Sequence, residues 1–213
     1  MRHLILAALL LFGLAAASLP QGRPIPGMVR VRIVTTEGNI VVALDARRAP
    51  KTTANFLAYV DDGRLADTNF YRASRMPGTP GRGFIQGGIG TDARRMLAPL
   101  PLEPTSVTGL RHTDGTISMA HGDFADAANC NFSILVGASP GLDARPGSRG
   151  FAAFGKVVAG MDVVKRILAK PSGGGRGAMK GQMILAPVRI LRAERLDGVA
   201  KPSGRPKTWL FRR

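Results

Sequence analysis

Residues 70–88, FYRASRMPGTPGRGFIQGG, contain two short apolar runs on either side of a loop that is rich in Pro and Gly. Runs of this length around such a loop are typical of neighbouring β-strands. The first run contains a charged residue, Arg72, and the second contains a polar one, Gln86. The stretch therefore predicts a strand pair in which two polar side chains stand among apolar neighbours.

Similar runs occupy most of the chain. A hairpin is predicted over residues 31–44, and a last strand, interrupted by Pro187, over residues 182–196. Between them lie GTISMA (115–120), NFSILV (131–136) and GFAAFGKVV (150–158). About eight short strands separated by turn residues predict an all-β barrel or sandwich.

Two segments have the periodicity of helices. The first begins at Pro50, has an apolar face that includes Phe56 and Val60, and stops at Gly63. The second covers residues 160–170, just before Pro171. Two helices that cap the open ends of a closed barrel agree with this count. With about eight strands and two helices, the predicted fold is mainly β.

The N-terminus has the pattern of a secretory signal. A short positive start precedes an apolar run over residues 4–17, which ends in three alanines. This run is shorter than the ~20 residues that a membrane span needs. We expect cleavage after Ala17 and export to the periplasm, with an uncleaved anchor as the alternative. No other stretch is apolar for long enough to anchor the protein stably in a membrane.

The remaining chain fits one domain with short flanking segments. Residues 18–29, with three Pro and two Gly, predict a linker, residues 30–197 the domain, and the basic residues 198–213 a disordered tail. The alternative is that Trp209 and Phe211 give the tail a weak docking or membrane-surface role. Cys130 is the single cysteine, so no intramolecular disulfide is available and the core must stabilise the fold. Nothing in the sequence indicates more than a monomer.

The chain is strongly basic. It has 30 Lys and Arg against 14 Asp and Glu, a formal net charge of +16. Such a surplus favours contact with polyanions. The charge is spread along the chain and aromatic residues make up only 6%, so we expect a solvated basic surface with weak polyanion contact and no specific nucleic-acid site.

Three other features of the sequence do not specify a functional site. PSGGGRG (171–177) follows a predicted helix, whereas a phosphate loop precedes one, so a flexible connection is predicted. His112 and His121 are too few to specify a metal site, and Ser139 lacks the frame of a nucleophile elbow. The sequence therefore predicts no cofactor and no metal.

The order of the motifs resembles that of the cyclophilin-type peptidyl-prolyl cis-trans isomerases. APKTTANFLAYV (49–60), FYR (70–72), GFIQGG (83–88), GTISMA, NFSILV and FAAFGKVVAGMDVV (151–164) follow one another as they do in that family, and most closely in its exported bacterial branch. The resemblance covers roughly residues 30–195. It implies a closed eight-stranded antiparallel β-barrel capped by two α-helices, and an enzyme that accelerates rotation about X-Pro bonds in exported polypeptides.

The resemblance also implies roles for the two polar strand residues. Arg72 stands where the family has its catalytic arginine, and Gln86 where it has a glutamine that binds the substrate backbone and orients the arginine. An X-Pro bond rotates slowly because amide resonance imposes a barrier of about 18–20 kcal/mol. A charged donor at the prolyl nitrogen stabilises the twisted state more than either planar state, which is a way to lower this barrier.

Further substrate-binding positions follow from the same resemblance. The family's aromatic pocket is thinner here, since Gly83, Ser133 and Gly141 stand at aromatic positions, although a one-residue slip would return Phe84 to the pocket. We therefore expect a slow isomerase that binds cyclosporin weakly. The expected substrate-binding residues are Tyr71, Phe84, Gln86, Ala120, His121, Asn131, Phe132, Leu142 and Phe151, with Phe132 the one most suited to the core.

Two other functions stay open. A non-catalytic chaperone on the same barrel would hold proline-containing segments without accelerating rotation. A polyanion-binding protein would use the barrel only as a scaffold, and its binding would weaken steeply with salt.

Overall fold

A computed structural model describes residues 25–211. The predicted signal (1–17) and the first part of the predicted linker (18–24) lie outside the described residues. Within them the strands are β1 (Met28–Thr35), β2 (Gly38–Asp45), β3 (Thr68–Arg75), β4 (Gly83–Gly88), β5 (Thr116–Met119), β6 (Asn131–Val136), β7 (Ala152–Ala159), β8 (Ser172–Gly173) and β9 (Met183–Arg195). The helices are α1 (Pro50–Asp61), α2 (Thr105–Thr108) and α3 (Met161–Ala169).

Eight of these strands close into an antiparallel barrel. Their order is β1-β2-β7-β5-β6-β4-β3-β9, and β9 pairs again with β1. The two-residue β8 only extends β9. The predicted closed eight-stranded barrel is therefore confirmed, and β1 begins two residues before the expected start of the domain.

The two predicted helices pack on the barrel. α1 contacts β2, β7 and β9, and α3 contacts β2, β3, β4 and β6. Both bury apolar side chains in the cluster that fills the barrel, among them Phe56 of α1 and Ile167 of α3. None of the helices within residues 25–211 is long and apolar enough to cross a membrane.

Two features differ from the sequence prediction. The four-residue α2 was not predicted, because its β-branched residues favour strands over helices. The segment predicted as a disordered tail lies against the domain. Within it, the backbone N–H and hydroxyl of Ser203 bond to Asp62, and Trp209 lies 4.6 Å from the Arg64 guanidinium carbon, measured to the ring centroid. These contacts join residues 141 or more positions apart, which local composition does not reveal.

Candidate active site

A β-bulge at Tyr71 determines where Arg72 points. In the β3–β4 register Phe70 pairs with Gly87 and Arg72 pairs with Gln86, so Tyr71 has no partner on β4. The register of β3 with β9 shifts at the same place. Phe70 is buried in the barrel, whereas Tyr71 and Arg72 are both half-buried. A bulge commonly re-aims a side chain in this way, and here it brings two consecutive side chains to the outer face.

Arg72 and Gln86 form the centre of the site. The Arg72 Nη1 donates a hydrogen bond to the Gln86 Oε1 at 2.9 Å. The Phe84 ring, two residues earlier on β4, has its centroid 5.0 Å from the Arg72 guanidinium carbon, a cation–π distance. Burial lowers the pKa of Arg72, but a guanidinium stays protonated in proteins. The site therefore presents a fixed positive charge on the outer wall of the barrel.

One cavity lies on the Tyr71 side of Arg72. It has a volume of about 600 Å³ and is called the Tyr71 cavity below. The Tyr71 hydroxyl donates to the Asn131 Oδ1 at 3.3 Å, and burial raises the pKa of Tyr71 to about 12, so the phenol remains a donor near neutral pH. The Tyr71 cavity is lined by five residues that were predicted to bind substrate: Tyr71, Gln86, Ala120, His121 and Asn131. It is also lined by residues that were not predicted, among them Met179 and Met183.

Asn131 fixes one wall of the Tyr71 cavity. Its Oδ1 accepts from the Gly90 N–H at 2.8 Å, and its Nδ2 donates to the Gly90 carbonyl at 2.9 Å. Because both amide atoms are used on the backbone, Asn131 holds the chain that leaves β4. Asn131 therefore has a structural role in addition to lining the cavity.

His121 and Phe151 form a stacked pair at the edge of the site. Their ring centroids are 4.4 Å apart with an interplanar angle of 21°. The two imidazole nitrogens lie 2.7 Å from the Gly122 carbonyl and 2.9 Å from the Gly150 carbonyl. A neutral imidazole has one N–H, so it donates to only one of these carbonyls at a time. The Phe151 N–H donates to the Leu142 carbonyl at 3.0 Å. This bond joins the stacked pair to the segment that carries Leu142.

A second cavity lies beside Phe84. It has a volume of about 460 Å³ and is lined by Phe84, Leu142 and the segments around Met76 and Pro140. Gly83 begins β4 and pairs with Val136 on β6. Phe84, the next residue, lies beside Arg72, so it reaches the site without the one-residue slip considered above. This is the Phe84 cavity.

The two glycines at this cavity differ in what they tolerate. Gly83 has φ +145°, and a Cβ built there would lie 2.0 Å from the Ser74 carbonyl oxygen, so no side chain fits. At Gly141 the nearest atom to such a Cβ is an Arg145 nitrogen at 3.9 Å. The aromatic side chain missing at Gly83 is therefore excluded by the backbone, whereas the one missing at Gly141 has room.

Phe132 does not line the site. It is fully buried, and its ring packs edge-on against Phe56 at 5.3 Å and Phe70 at 5.7 Å between centroids. Successive side chains of a strand point to opposite faces. Because Asn131 is turned to the outer face, Phe132 is turned to the core, and its placement among the substrate-binding residues was wrong.

The structure brings together a Ser-His-Asp network that the sequence did not predict. The two ring nitrogens of His112 lie 2.6 Å from the Asp143 Oδ1 and 2.8 Å from the Ser118 Oγ. His112 is 1% exposed and Ser118 is 3% exposed. A nucleophile must reach its substrate, so this buried network is structural. It joins β5 to the loop that carries Leu142.

Comparisons with known proteins agree with this geometry. The family model described as cyclophilin type peptidyl-prolyl cis-trans isomerase/CLD matches residues 30–195. Peptidyl-prolyl cis-trans isomerase A of Dickeya dadantii is 38% identical over 137 residues, which cover 64% of this chain and 70% of the relative. A Streptomyces antibioticus isomerase, cyp18, is 34% identical over 154 residues, or 70% of this chain and 89% of the relative.

A solved structure supports the fold. The cyclophilin-type isomerase of Cryptosporidium parvum superposes with a TM-score of 0.60 at 22% sequence identity, over 81% of this chain and 99% of the other. The same protein was also solved in the presence of the dipeptide Ala-Pro, with a TM-score of 0.59. The barrel, the Arg72–Gln86 pair and the family match over residues 30–195 lead to one conclusion: the chain belongs to the cyclophilin-type peptidyl-prolyl cis-trans isomerases and is an enzyme of that class.

Proposed function

We propose that this protein accelerates X-Pro rotation in exported polypeptides, with Arg72 stabilising the twisted prolyl amide. The observation that carries the proposal is the half-buried Arg72 guanidinium, held by Gln86 at 2.9 Å between the Tyr71 and Phe84 cavities. A peptide that crosses Arg72 would place the residues on either side of its X-Pro bond in these two cavities.

The hydrogen bonding of Arg72 leaves donors for a substrate. A guanidinium has five N–H groups. In this site Nε, Nη1 and Nη2 each donate one bond within the protein. Within residues 25–211, one N–H on each terminal nitrogen is left without an acceptor. In a bound peptide these donors would meet the prolyl nitrogen, whose lone pair becomes available only as the amide twists, so their bond would strengthen in the transition state.

The remaining residues bind and orient the peptide. The Gln86 Oε1 holds Arg72, so the Nε2 of the same amide is the atom that would donate to a peptide carbonyl. Tyr71 and Ala120 line the Tyr71 cavity, and Phe84 and Leu142 supply apolar walls to the Phe84 cavity. Binding proline needs apolar contact, and catalysing its rotation needs only one well-placed charge.

The exported setting is supported by the pattern of residues 1–17. The mass of the protein recovered from the periplasmic fraction tests it, since cleavage after Ala17 removes the first 17 residues. Recovery of the full-length chain from the cytoplasm would contradict this part of the proposal.

The catalytic part is tested by proline isomerisation in an Ala-Pro tetrapeptide with the wild type and Arg72→Ala. Slow isomerisation by the variant supports the role of Arg72. Equal rates would contradict it, and peptide binding without any acceleration would favour the non-catalytic module.

A further inference from the structure

The glycine-rich segment after α3 forms a closed loop. Its neck is the pairing of Ser172 with Ile184 and of Gly173 with Met183, and inside it the Gly181 N–H donates to the Gly174 carbonyl. Gly175 has φ +77°, and a Cβ there would lie 2.3 Å from the Met179 carbonyl oxygen. The glycines thus allow a tight turn, where the sequence had predicted a flexible connection. Residues 174–182 are called the glycine loop below.

The end of the glycine loop reaches Arg72. The Arg72 Nε donates to the Gln182 Oε1 at 2.9 Å, and its Nη2 donates to the Ala178 carbonyl at 3.1 Å. The Ala73 N–H donates to the Gln182 carbonyl at 2.9 Å, so the backbone of Gln182 is fastened to β3 next to Arg72. Gln182 is therefore held in place on both its main chain and its side chain.

Arg72 consequently lies between two glutamine side chains. Gln86 accepts from Nη1 and Gln182 accepts from Nε, each at 2.9 Å. The two bonds fix different edges of a planar group, so together they restrict both the position and the rotation of the guanidinium. Without the Gln182 side chain, only the bonds of Nη1 and Nη2 would remain, and Nε would have lost its acceptor.

All three oxygens that hold Arg72 belong to neutral groups. Within residues 25–211, no carboxylate forms an ion pair with Arg72, although carboxylates hold many of the other arginines, including Arg64 and Arg195. A carboxylate would fix the guanidinium at least as firmly, but it would also cancel much of the charge that acts on a substrate. Neutral acceptors orient the group and leave its charge available.

We propose that Gln182 is a positioning residue for Arg72, which it orients from the glycine loop through an uncharged acceptor. This inference rests on the proposed role of Arg72. It assigns a function to a residue that lies 110 positions away in the chain, within a segment that has no catalytic motif.

The test compares Gln182→Ala, Gln182→Glu and the control Lys180→Ala, a substitution on the same loop. We expect Gln182→Ala to lower kcat about tenfold, the factor that ~1.4 kcal/mol gives, with a smaller change in KM. Melting temperatures should stay close to that of the wild type, because the side chain lies on a surface loop. Lys180→Ala should keep the wild-type kcat, and equal kcat values for Gln182→Ala and Lys180→Ala would overturn the proposal.

Gln182→Glu separates positioning from a structural role. Glutamate keeps the length and the acceptor, so a structural role predicts wild-type activity. The proposal predicts a lowered kcat near pH 7 that recovers only below about pH 4.3, because the adjacent Arg72 charge lowers the pKa of the introduced carboxyl group. Wild-type kcat at pH 7 would overturn the requirement for a neutral acceptor.

The double variant distinguishes this inference from the proposed function. If Gln182 acts through Arg72, adding Gln182→Ala to Arg72→Ala lowers the rate no further. A further tenfold loss in the double variant would overturn the inference while Arg72 keeps its role. Equal rates for Arg72→Ala and the wild type would instead contradict the proposed function itself.

Discussion

Arg72 and Gln86 are register partners on adjacent strands, and their side chains meet at 2.9 Å on the outside of the barrel. The pairing depends on the bulge at Tyr71, which turns Arg72 away from the core. Without the bulge, strict alternation along β3 after the buried Phe70 would turn Arg72 inward. The charge of the site is thus placed by a local irregularity in an otherwise regular sheet.

Replacing Gln86 should affect catalysis more than stability. Gln86→Ala removes an acceptor from Arg72 and a donor for the peptide, and we expect kcat/KM to fall about tenfold or more, as the loss of one or two hydrogen bonds predicts. The measurement is the isomerase assay, with Asn69→Ala at the exposed start of β3 as the control. A Gln86→Ala enzyme as active as the control would contradict the orienting role.

Filling the Phe84 cavity should strengthen ligand binding. Gly141→Trp adds an aromatic side chain where a Cβ has room, and an aromatic contact contributes ~0.5–1.5 kcal/mol beyond its burial. We expect the affinity for cyclosporin to rise by about tenfold in isothermal titration, from a weak value for the wild type. Unchanged affinity would show that this cavity does not take part in binding.

A side chain at Gly83 should destabilise the fold. Its Cβ would collide with the Ser74 carbonyl oxygen at 2.0 Å, so even Gly83→Ala is expected to shift β4 and lower the melting temperature by several degrees. Gly141→Ala serves as the matched control. Equal melting temperatures for the two variants would contradict the account of why this position lacks a side chain.

The C-terminal segment should stabilise the domain. Arg64 and Asp62 form an ion pair whose side chains are each 1% exposed, and the segment covers it through Ser203 and Trp209. Trp209→Ala should cost about 1–2 kcal/mol of unfolding free energy, as for a partly desolvated cation–π contact. Urea unfolding measures this loss against Lys207→Ala, and identical midpoints would mean that the contact contributes nothing.

Stability should fall at mildly acidic pH because of His112. Burial lowers the pKa of His112 even though Asp143 lies beside it. Between this lowered pKa and about 6.5, the unfolded chain binds a proton that the folded one does not, so unfolding free energy decreases as the pH falls below about 6.5. His112→Gln should flatten this dependence between pH 7 and 5, and a variant with the wild-type slope would contradict it.

Two acidic residues affect the stability of the fold at lower pH than His112 does. Hydrogen bonds from Arg30 lower the pKa of Asp197, and hydrogen bonds from Arg48 and its backbone outweigh burial to lower that of Asp45. Their stabilisation is present above about pH 3.9 and is lost as the pH falls through the lowered values. The loss of stability due to His112 therefore occurs at a higher pH than the loss due to these two carboxylates, so the two can be measured separately.

Sequence periodicity was enough to predict two of the helices and an all-β barrel or sandwich, because these depend on local alternation and on turn residues. The closed eight-stranded antiparallel barrel was implied by the resemblance. Alternation along Asn131-Phe132-Ser133 also carried the signal that Phe132 faces the core. Gln182, Met179 and Met183 were missed because their contacts with Arg72 and the Tyr71 cavity depend on how a loop closes over a strand about 110 positions earlier. The buried His112 network was missed because it joins residues 6 and 31 positions apart whose approach depends on the path of the connecting loops.

The most direct test of the central claim is kcat/KM for an Ala-Pro peptide with Arg72→Ala, measured against Arg47→Ala, which removes an exposed arginine of the same charge. Loss of a charged donor at the reacting centre predicts a fall of about 10²–10³-fold for Arg72→Ala and wild-type activity for Arg47→Ala. Equal activity of the two folded variants would contradict the claim that the Arg72 guanidinium drives the rotation.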